Sequence, residues 1–396
     1  MSRRHGAGTS SWSVFARIEE IVLATSGADA FELVFSLAVA RLHARRLGRP
    51  LGQGASVRRG VDKLLREASR AWPGLDASRT LDVPDDVLES TLALLDRAVL
   101  EGDAEGLDSL FEQLVTRVGK GHKGQFFTPR HVVDFATRAL ALSDGERFVD
   151  PACGSGAFVA CARASAGVEA LGWDVDARAV RVAKLLAVAT GADPSSITRR
   201  DSLRTRDRAG RFDAIATNPP FAGAPDGAGY ELASIGGRIE RDALFLERCL
   251  GLLRPGGRLA ILLPYGKVAS PAWAPLRRWL VARARVLAVV SLPKETFLPH
   301  TSPRAALLFA KKRTAKSRGA TDAAGERVLM AVSDRAGRDA GGAPIFLPVA
   351  GEKKAPRPGR TWRDHDHDLG ELERPLAAFL RREGFAHERP SRHGRA

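Results

Sequence analysis

The chain has 396 residues, enough for two or three domains with a full hydrophobic core. Its 44% hydrophobic and 27% charged residues exclude wholesale disorder, and no apolar run is long enough to span a membrane or form a signal-peptide core. Lys and Arg outnumber Asp and Glu by 61 to 46, and this net charge of +15 favours a polyanionic partner, nucleic acid first, although an arginine-rich composition alone would give the same sign.

Helical spacing of Val14, Phe15, Ile18, Ile21 and Val22 opens the chain, followed by a second apolar helix over Phe31 to Leu42 and a Gly-rich break from Gly48 to Gly60. Leu107, Leu110, Phe111, Leu114 and Val118 fall on one face of another helix. A flexible basic loop, Gly119 to Gly124, then precedes a change of character. Strands are expected at Arg147–Asp150, Val168–Asp174, Ile197–Asp201, Phe212–Thr217, Arg258–Leu263, Val286–Leu292 and Ala305–Lys311. Helices are expected at His131–Leu142, Gly156–Ala166, Ala177–Thr190, Asp242–Leu253 and Pro275–Ala284. This alternation predicts an α/β fold, a doubly wound and mostly parallel seven-stranded sheet. The last two strands lack a clear intervening helix, so the sheet is expected to end in an antiparallel pair. Beyond the basic run Lys311 to Gly319, a short strand near Val328–Val332 and a helix near Leu369–Arg381 remain. The resulting division is a helical segment 1–118, an α/β segment 119–312 and a basic extension 313–396.

The most specific segment is Phe148-Val-Asp-Pro-Ala-Cys-Gly-Ser-Gly-Ala-Phe158. A strand ends in an acid, a Gly-Ser-Gly turn follows, and a helix opens with free N–H groups. The dinucleotide pattern GxGxxG fails, because Val159 stands at its third glycine. Asp174 at the end of the next strand is placed to meet ribose hydroxyls, and Asp201 is placed at the end of the third. Each acid alone could be a helix N-cap. Together with the glycine turn they suit a ligand bearing an amine, a ribose and a base. Asn218-Pro-Pro-Phe221 ends the fourth strand. Its prolines withhold two N–H donors and leave carbonyls for a ligand, its amide can accept hydrogen bonds from an exocyclic amine, and its aromatic ring can stack on a base.

Asp150-Pro-Ala-Cys-Gly-Ser-Gly156 and Asn218-Pro-Pro-Phe221 resemble the cofactor and catalytic motifs of S-adenosylmethionine-dependent N6-adenine DNA methyltransferases. Gly124-Gln-Phe-Phe-Thr-Pro129 looks like the methionine-binding segment of that family. Leu107-Asp-Ser-Leu-Phe-Glu112, the run from Leu253 to Pro264 and Leu292-Pro-Lys-Glu-Thr-Phe297 extend the likeness to the modification subunit of type I restriction–modification systems. The resemblance covers residues 105–312 well and the N-terminal helices loosely. It implies a class I S-adenosylmethionine-dependent methyltransferase, Rossmann-like sheet with an N-terminal helical domain. It assigns Asp150, Gly154, Ser155 and Gly156 to the methionine part of the cofactor, with Gln125, Phe127, Thr128 and Pro129 beside it. Asp174 falls to the ribose and Asp201 to the adenine of the cofactor. Asn218, Pro219, Pro220 and Phe221 become the catalytic segment, acting on a flipped adenine.

Neighbouring activities fit less well. Cytosine-C5 methylation needs a nucleophilic thiolate, usually after proline, and Cys153, Cys161 and Cys249 do not follow one. Cytosine-N4 enzymes tend to carry Ser at the Asn218 position. Methyltransferases of protein glutamine or RNA guanine share Asn-Pro-Pro with an aromatic and stay open, as does an inert methyltransferase-like scaffold. Few cysteines and no CxxC spacing suit a cytoplasmic protein without a disulfide framework or a cysteine-rich zinc site. Asp364-His-Asp-His-Asp368 has metal-ligand residue types but no partner cluster in the sequence, so no metal is expected. Modification subunits are generally longer, and no segment here looks large enough for target recognition. The expected partners are therefore DNA, a separate DNA-specificity subunit and a restriction subunit, in a restriction–modification or related defence system.

Overall fold

A computed structural model describes residues 18, 20–21, 29–51, 57–78, 81–99, 128–205, 210–221, 223, 227, 229–234, 240–298, 303–314, 325–348 and 362–386. Three N-terminal helices come first: α1 (Ala30–Arg46), α2 (Val57–Ala71) and α3 (Asp85–Val99). Asp29 caps α1 by accepting from Phe31 N at 2.9 Å. Neither α2 nor α3 is among the helices expected from the sequence, and the expected Gly-rich break ends inside α2. Its signal lay in Val57, Val61, Leu64, Leu65 and Ala68, which share the buried face. Gly60 sits within that helix because a Cβ there would lie 2.5 Å from the Leu51 carbonyl oxygen. The helix expected over Leu107 to Val118 and the basic loop after it lie outside the described residues, as does most of the segment Val14 to Val22.

The sheet comprises β1 (Arg147–Asp150), β2 (Glu169–Asp174), β3 (Ile197–Arg199), β4 (Phe212–Thr217), β5 (Leu253–Pro264), β6 (Ala284–Ser291), β7 (Ala305–Lys312) and β8 (Leu329–Val332). Their order is β3-β2-β1-β4-β5-β7-β6-β8. The expected doubly wound sheet is present with eight strands rather than seven, because β8 from the basic extension pairs in parallel with β6. The antiparallel element is β7, inserted between β5 and β6 and running against both. Strand β7 directly follows β6 in the chain and returns beside it in the opposite direction.

Helices α4 (Arg130–Ala139), α5 (Ala157–Ser165), α6 (Ala177–Ala189) and the C-terminal α10 (Leu369–Arg382) cover one face of the sheet. Helices α7 (Arg241–Leu252) and α9 (Ala274–Arg283) cover the other, and the short α8 (Tyr265–Ala269) follows β5. Alternate strand residues feed the two layers: Phe148 faces the first and Val149 the second. Helix α6 has a second duty, because Val182 and Leu185 join the core of the N-terminal helices. That junction is pinned by Arg181, whose guanidinium meets both oxygens of Glu32, and by Arg178, 2.7 Å from Asp29. Inside the sheet, Arg258 is 0% exposed and ion-paired to Glu146.

Candidate active site

Parallel strands β1, β2 and β4 all finish on one edge of the sheet, and each delivers a polar side chain there. Strand β1 ends in Asp150, 1% exposed, whose carboxylate accepts from Ala152 N at 3.0 Å. Burial pushes its pKa up to about 7, with the Ala152 N–H opposing and the Asp174 charge adding to the rise. The chain then turns through Gly154 (φ +51°) and Gly156 (φ +86°), left-handed conformations that favour glycine. A Cβ at Gly156 would lie 3.0 Å from the Ala183 Cβ, so this glycine also lets α5 approach α6. A Cβ at Gly154 would meet nothing within 4 Å, leaving open space over the loop. Ser155 is buried beside them, and Ala157 begins α5 with no side-chain cap on its first N–H groups.

Strand β2 ends in Asp174, 8% exposed. Its Oδ2 accepts from Gly154 N and its Oδ1 from Asp176 N, both at 2.9 Å. Burial raises its pKa against those two N–H groups. The carboxylate thus locks the glycine loop to the second strand while each oxygen keeps a lone pair for a ligand. Strand β3 ends at Arg199, and the last ladder bond to β2 runs from Arg200 N to the Asp174 carbonyl at 2.7 Å. Asp201 therefore lies just past the strand rather than at its end. Its Oδ1 accepts from Leu203 N at 3.0 Å, and its half-exposed side chain stays on the same edge. Ser202, which sequence reasoning missed, ties this turn to the first motif by donating to the Pro151 carbonyl at 2.6 Å.

Strand β4 delivers Asn218-Pro-Pro-Phe221. The Asn218 Nδ2 donates to Thr128 Oγ1 at 3.0 Å, joining residues ninety positions apart. That bond commits the amide nitrogen and orients the carbonyl end. Asn218 Oδ1 is buried and has no hydrogen-bond partner among the described residues. A buried acceptor left open costs free energy unless a ligand completes it. Pro219 is buried, and Pro220 and Phe221 are half-buried. The Phe221 ring packs edge-to-face on Phe297 at 6.2 Å, a brace the sequence analysis did not assign. Thr128 and Pro129 directly precede α4, and Pro129 offers its carbonyl to Val132 N and Val133 N. Gln125 and Phe127 lie outside the described residues.

Cys153 is a packing residue: it is buried, and burial pushes its thiol well above the ordinary range. His365 and His367 fold back onto the N-terminal turn of α4, where the His367 ring stacks on His131 at 4.6 Å. Among the described residues no group of His, Cys, Asp and Glu is disposed to hold a metal ion. Nor is any helix long and apolar enough to cross a membrane.

The positive-φ glycine loop, the open space above Gly154 and the acids ending β1 and β2 fit an amino-acid nucleoside such as S-adenosylmethionine. The sheet is that of the class I S-adenosylmethionine-dependent methyltransferases. A methyltransferase subunit of a type I restriction–modification system from Streptococcus thermophilus superposes with a TM-score of 0.54, covering 77% of this chain and 86% of that one. At 16% identity that likeness is one of fold. The type I restriction enzyme EcoEI methylase subunit of Escherichia coli is 26% identical over 223 residues, which are 51% of this chain and 46% of the relative. The type II methyltransferase M.CvrRI of Paramecium bursaria Chlorella virus XZ-6E is 24% identical over 206 residues, 52% of each. The chain therefore spans about half the length of the curated relatives it matches. The sequence pattern of N-6 DNA methylases matches residues 104–333, more than half of the chain and every element of the site described above. The chain belongs to the N-6 DNA methylase family.

Proposed function

We propose that this chain transfers a methyl group from S-adenosylmethionine to the N6 amine of adenine in DNA, as the modification subunit of a restriction–modification or related defence system. The observation that carries the reading is the buried, open acceptor Asn218 Oδ1, held in place by the Asn218–Thr128 hydrogen bond. An adenine amine is a poor nucleophile, because its lone pair is delocalised into the ring. Asn218 Oδ1 and the Pro219 carbonyl together offer two acceptors for its two N–H groups. Holding both protons draws the nitrogen toward tetrahedral geometry and aims its lone pair, and such orientation lowers a barrier by several kcal/mol. Phe221, backed by Phe297, supplies a stacking face for a base that has left the duplex.

On the cofactor side, S-adenosylmethionine supplies an electrophilic methyl group. Asp150 and the N–H groups at the start of α5 would hold its amino-acid end. Asp174 would take the ribose hydroxyls, and Asp201 and the turn it caps would flank the adenine. Gln125, Phe127, Thr128 and Pro129 belong beside the methionine chain. One relative is by name a methylase subunit of a type I restriction enzyme, and on that basis the proposal extends to an assembly with a DNA-specificity subunit and a restriction subunit, acting on DNA in the cytoplasm.

Sequencing of genomic DNA with modification detection, with and without the gene, tests the substrate. The wild-type gene is expected to leave N6-methyladenine at a defined motif, and Asn218→Ala to erase that mark while cofactor affinity persists. Methylation found on cytosine, protein or RNA but never on DNA adenine would overturn the assignment.

A further inference from the structure

We infer that Arg241 grips a DNA phosphate next to the target nucleotide, as a positioning residue at the lip of the site. This rests on the proposal that the substrate is a base in DNA. Helix α7 begins with three consecutive charges, Glu240 at the N-cap, then Arg241 and Asp242. The two acids turn inward. Both pair with Lys267, which is 2% exposed, with its Nζ 3.5 Å from Asp242 Oδ2 and 3.3 Å above the Trp273 ring centre. Those three groups neutralise most of one another's charge in the interior. Arg241 points the other way, toward the loop that follows the catalytic segment.

The guanidinium rests on Gly223. A Cβ there would lie 3.1 Å from Arg241 Cζ and Nη2 and 3.5 Å from Nη1. Three such similar distances mean that the guanidinium plane lies flat over the backbone, which directs its N–H edges sideways and away from the glycine. Gly223 has φ +105°, so a side chain there would both strain the backbone and crowd the arginine. Gly223 is two residues beyond Phe221, so the two Cα atoms are within about 7.6 Å of each other. The charge therefore stands at the mouth of the stacking site, on the sheet edge that carries Asn218.

Three observations separate this arginine from an ordinary surface cation. No salt bridge or hydrogen bond engages its side chain among the described residues, whereas Arg138, Arg147, Arg181, Arg254 and Arg283 each meet a carboxylate. It occupies the first turn of a helix, where the macrodipole disfavours a positive charge and favours a bound anion. Its planar fork is half-buried and held against backbone, so its donors are preorganised for the bidentate geometry that phosphate accepts. A base swung out of a duplex drags its flanking phosphates toward the pocket mouth, and a fixed fork there would fix how deeply the base enters.

The test uses the full chain and a fluorescein-labelled duplex in which one adenine faces an abasic site, with anisotropy followed across a salt series. Arg241→Gln should weaken binding and reduce the slope of log K against log salt by about 0.9, the loss of one phosphate contact. Arg241→Lys should retain the slope, because it keeps the charge. Calorimetry should give both variants wild-type affinity for S-adenosylmethionine. Wild-type slope and affinity in Arg241→Gln, on a chain that does methylate DNA adenine, would overturn the phosphate contact alone. A chain that never methylates DNA, yet loses one contact in Arg241→Gln, would overturn the proposed activity and leave the contact standing.

Discussion

Thr128→Val removes the acceptor of the Asn218 amide while keeping the side-chain shape. The bond it deletes is 3.0 Å long, between two uncharged and half-buried groups. Such a bond contributes about 0.5–1.5 kcal/mol net. If its work is to hold Asn218 Oδ1 in the reactive orientation, that energy is taken from the transition state rather than from the fold. At about 1.36 kcal/mol per decade of rate, kcat should fall about 2- to 13-fold. Thr128→Ser, which restores an acceptor oxygen, should recover most of the loss. The assay is transfer of a radiolabelled methyl group to DNA at saturating cofactor and saturating DNA, using the chain with any specificity subunit it requires. Cofactor affinity is measured in parallel by calorimetry, because Thr128 belongs to the segment assigned to the methionine side. A Thr128→Val variant with wild-type kcat would refute the claim that this bond orients the catalytic amide. So would a loss confined to cofactor affinity.

Asp174→Ala should weaken cofactor binding about 10- to 150-fold by calorimetry, since hydrogen bonds to a charged group contribute about 1.5–3 kcal/mol and the locks on Gly154 and Asp176 disappear with them; unchanged affinity would remove Asp174 from the site. Burial holds Asp150 near a pKa of about 7, so the carboxylate that would meet the cofactor ammonium is lost as pH falls through that value. Cofactor affinity should therefore rise between about pH 6 and pH 8 and become flat in Asp150→Asn, and a flat wild-type profile would contradict this. His131, His365 and His367 have pKa values lowered by burial, His365 to about 4 from an ordinary 6.5. The unfolded chain then binds protons that the folded chain refuses, so stability is full above about pH 6.5 and is lost as pH falls toward about 4. Urea unfolding at several pH values should show that slope, and His365→Asn should reduce it; an identical slope in the variant would exclude the histidine cluster as its source.

The amino-acid sequence by itself determined the strand and helix alternation from Arg147 to Lys312, because hydrophobic period and turn chemistry are local properties. It also marked the chemistry of the site. An acid ending β1, a turn built on two left-handed glycines, and an amide followed by two prolines each announce themselves within a few residues. What it could not show were contacts between segments far apart in the chain. The Asn218–Thr128 bond spans 90 positions, the Asp174 lock on Gly154 spans 20, and the Phe297 brace on Phe221 joins two loops. Their geometry follows from how the sheet twists and how helices such as α5 and α6 pack, which no short window contains. The same holds for β8, whose four residues look like an isolated strand until the open edge of β6 gives them backbone partners. Helix α2 was hidden for a related reason. Its glycine reads as a break, and only the close approach of the Leu51 carbonyl explains why a glycine sits within it. Arg241 shows the limit most clearly. In sequence it is one arginine among many, and only the tertiary structure decides that its two acidic neighbours turn inward to Lys267 while it faces the catalytic loop.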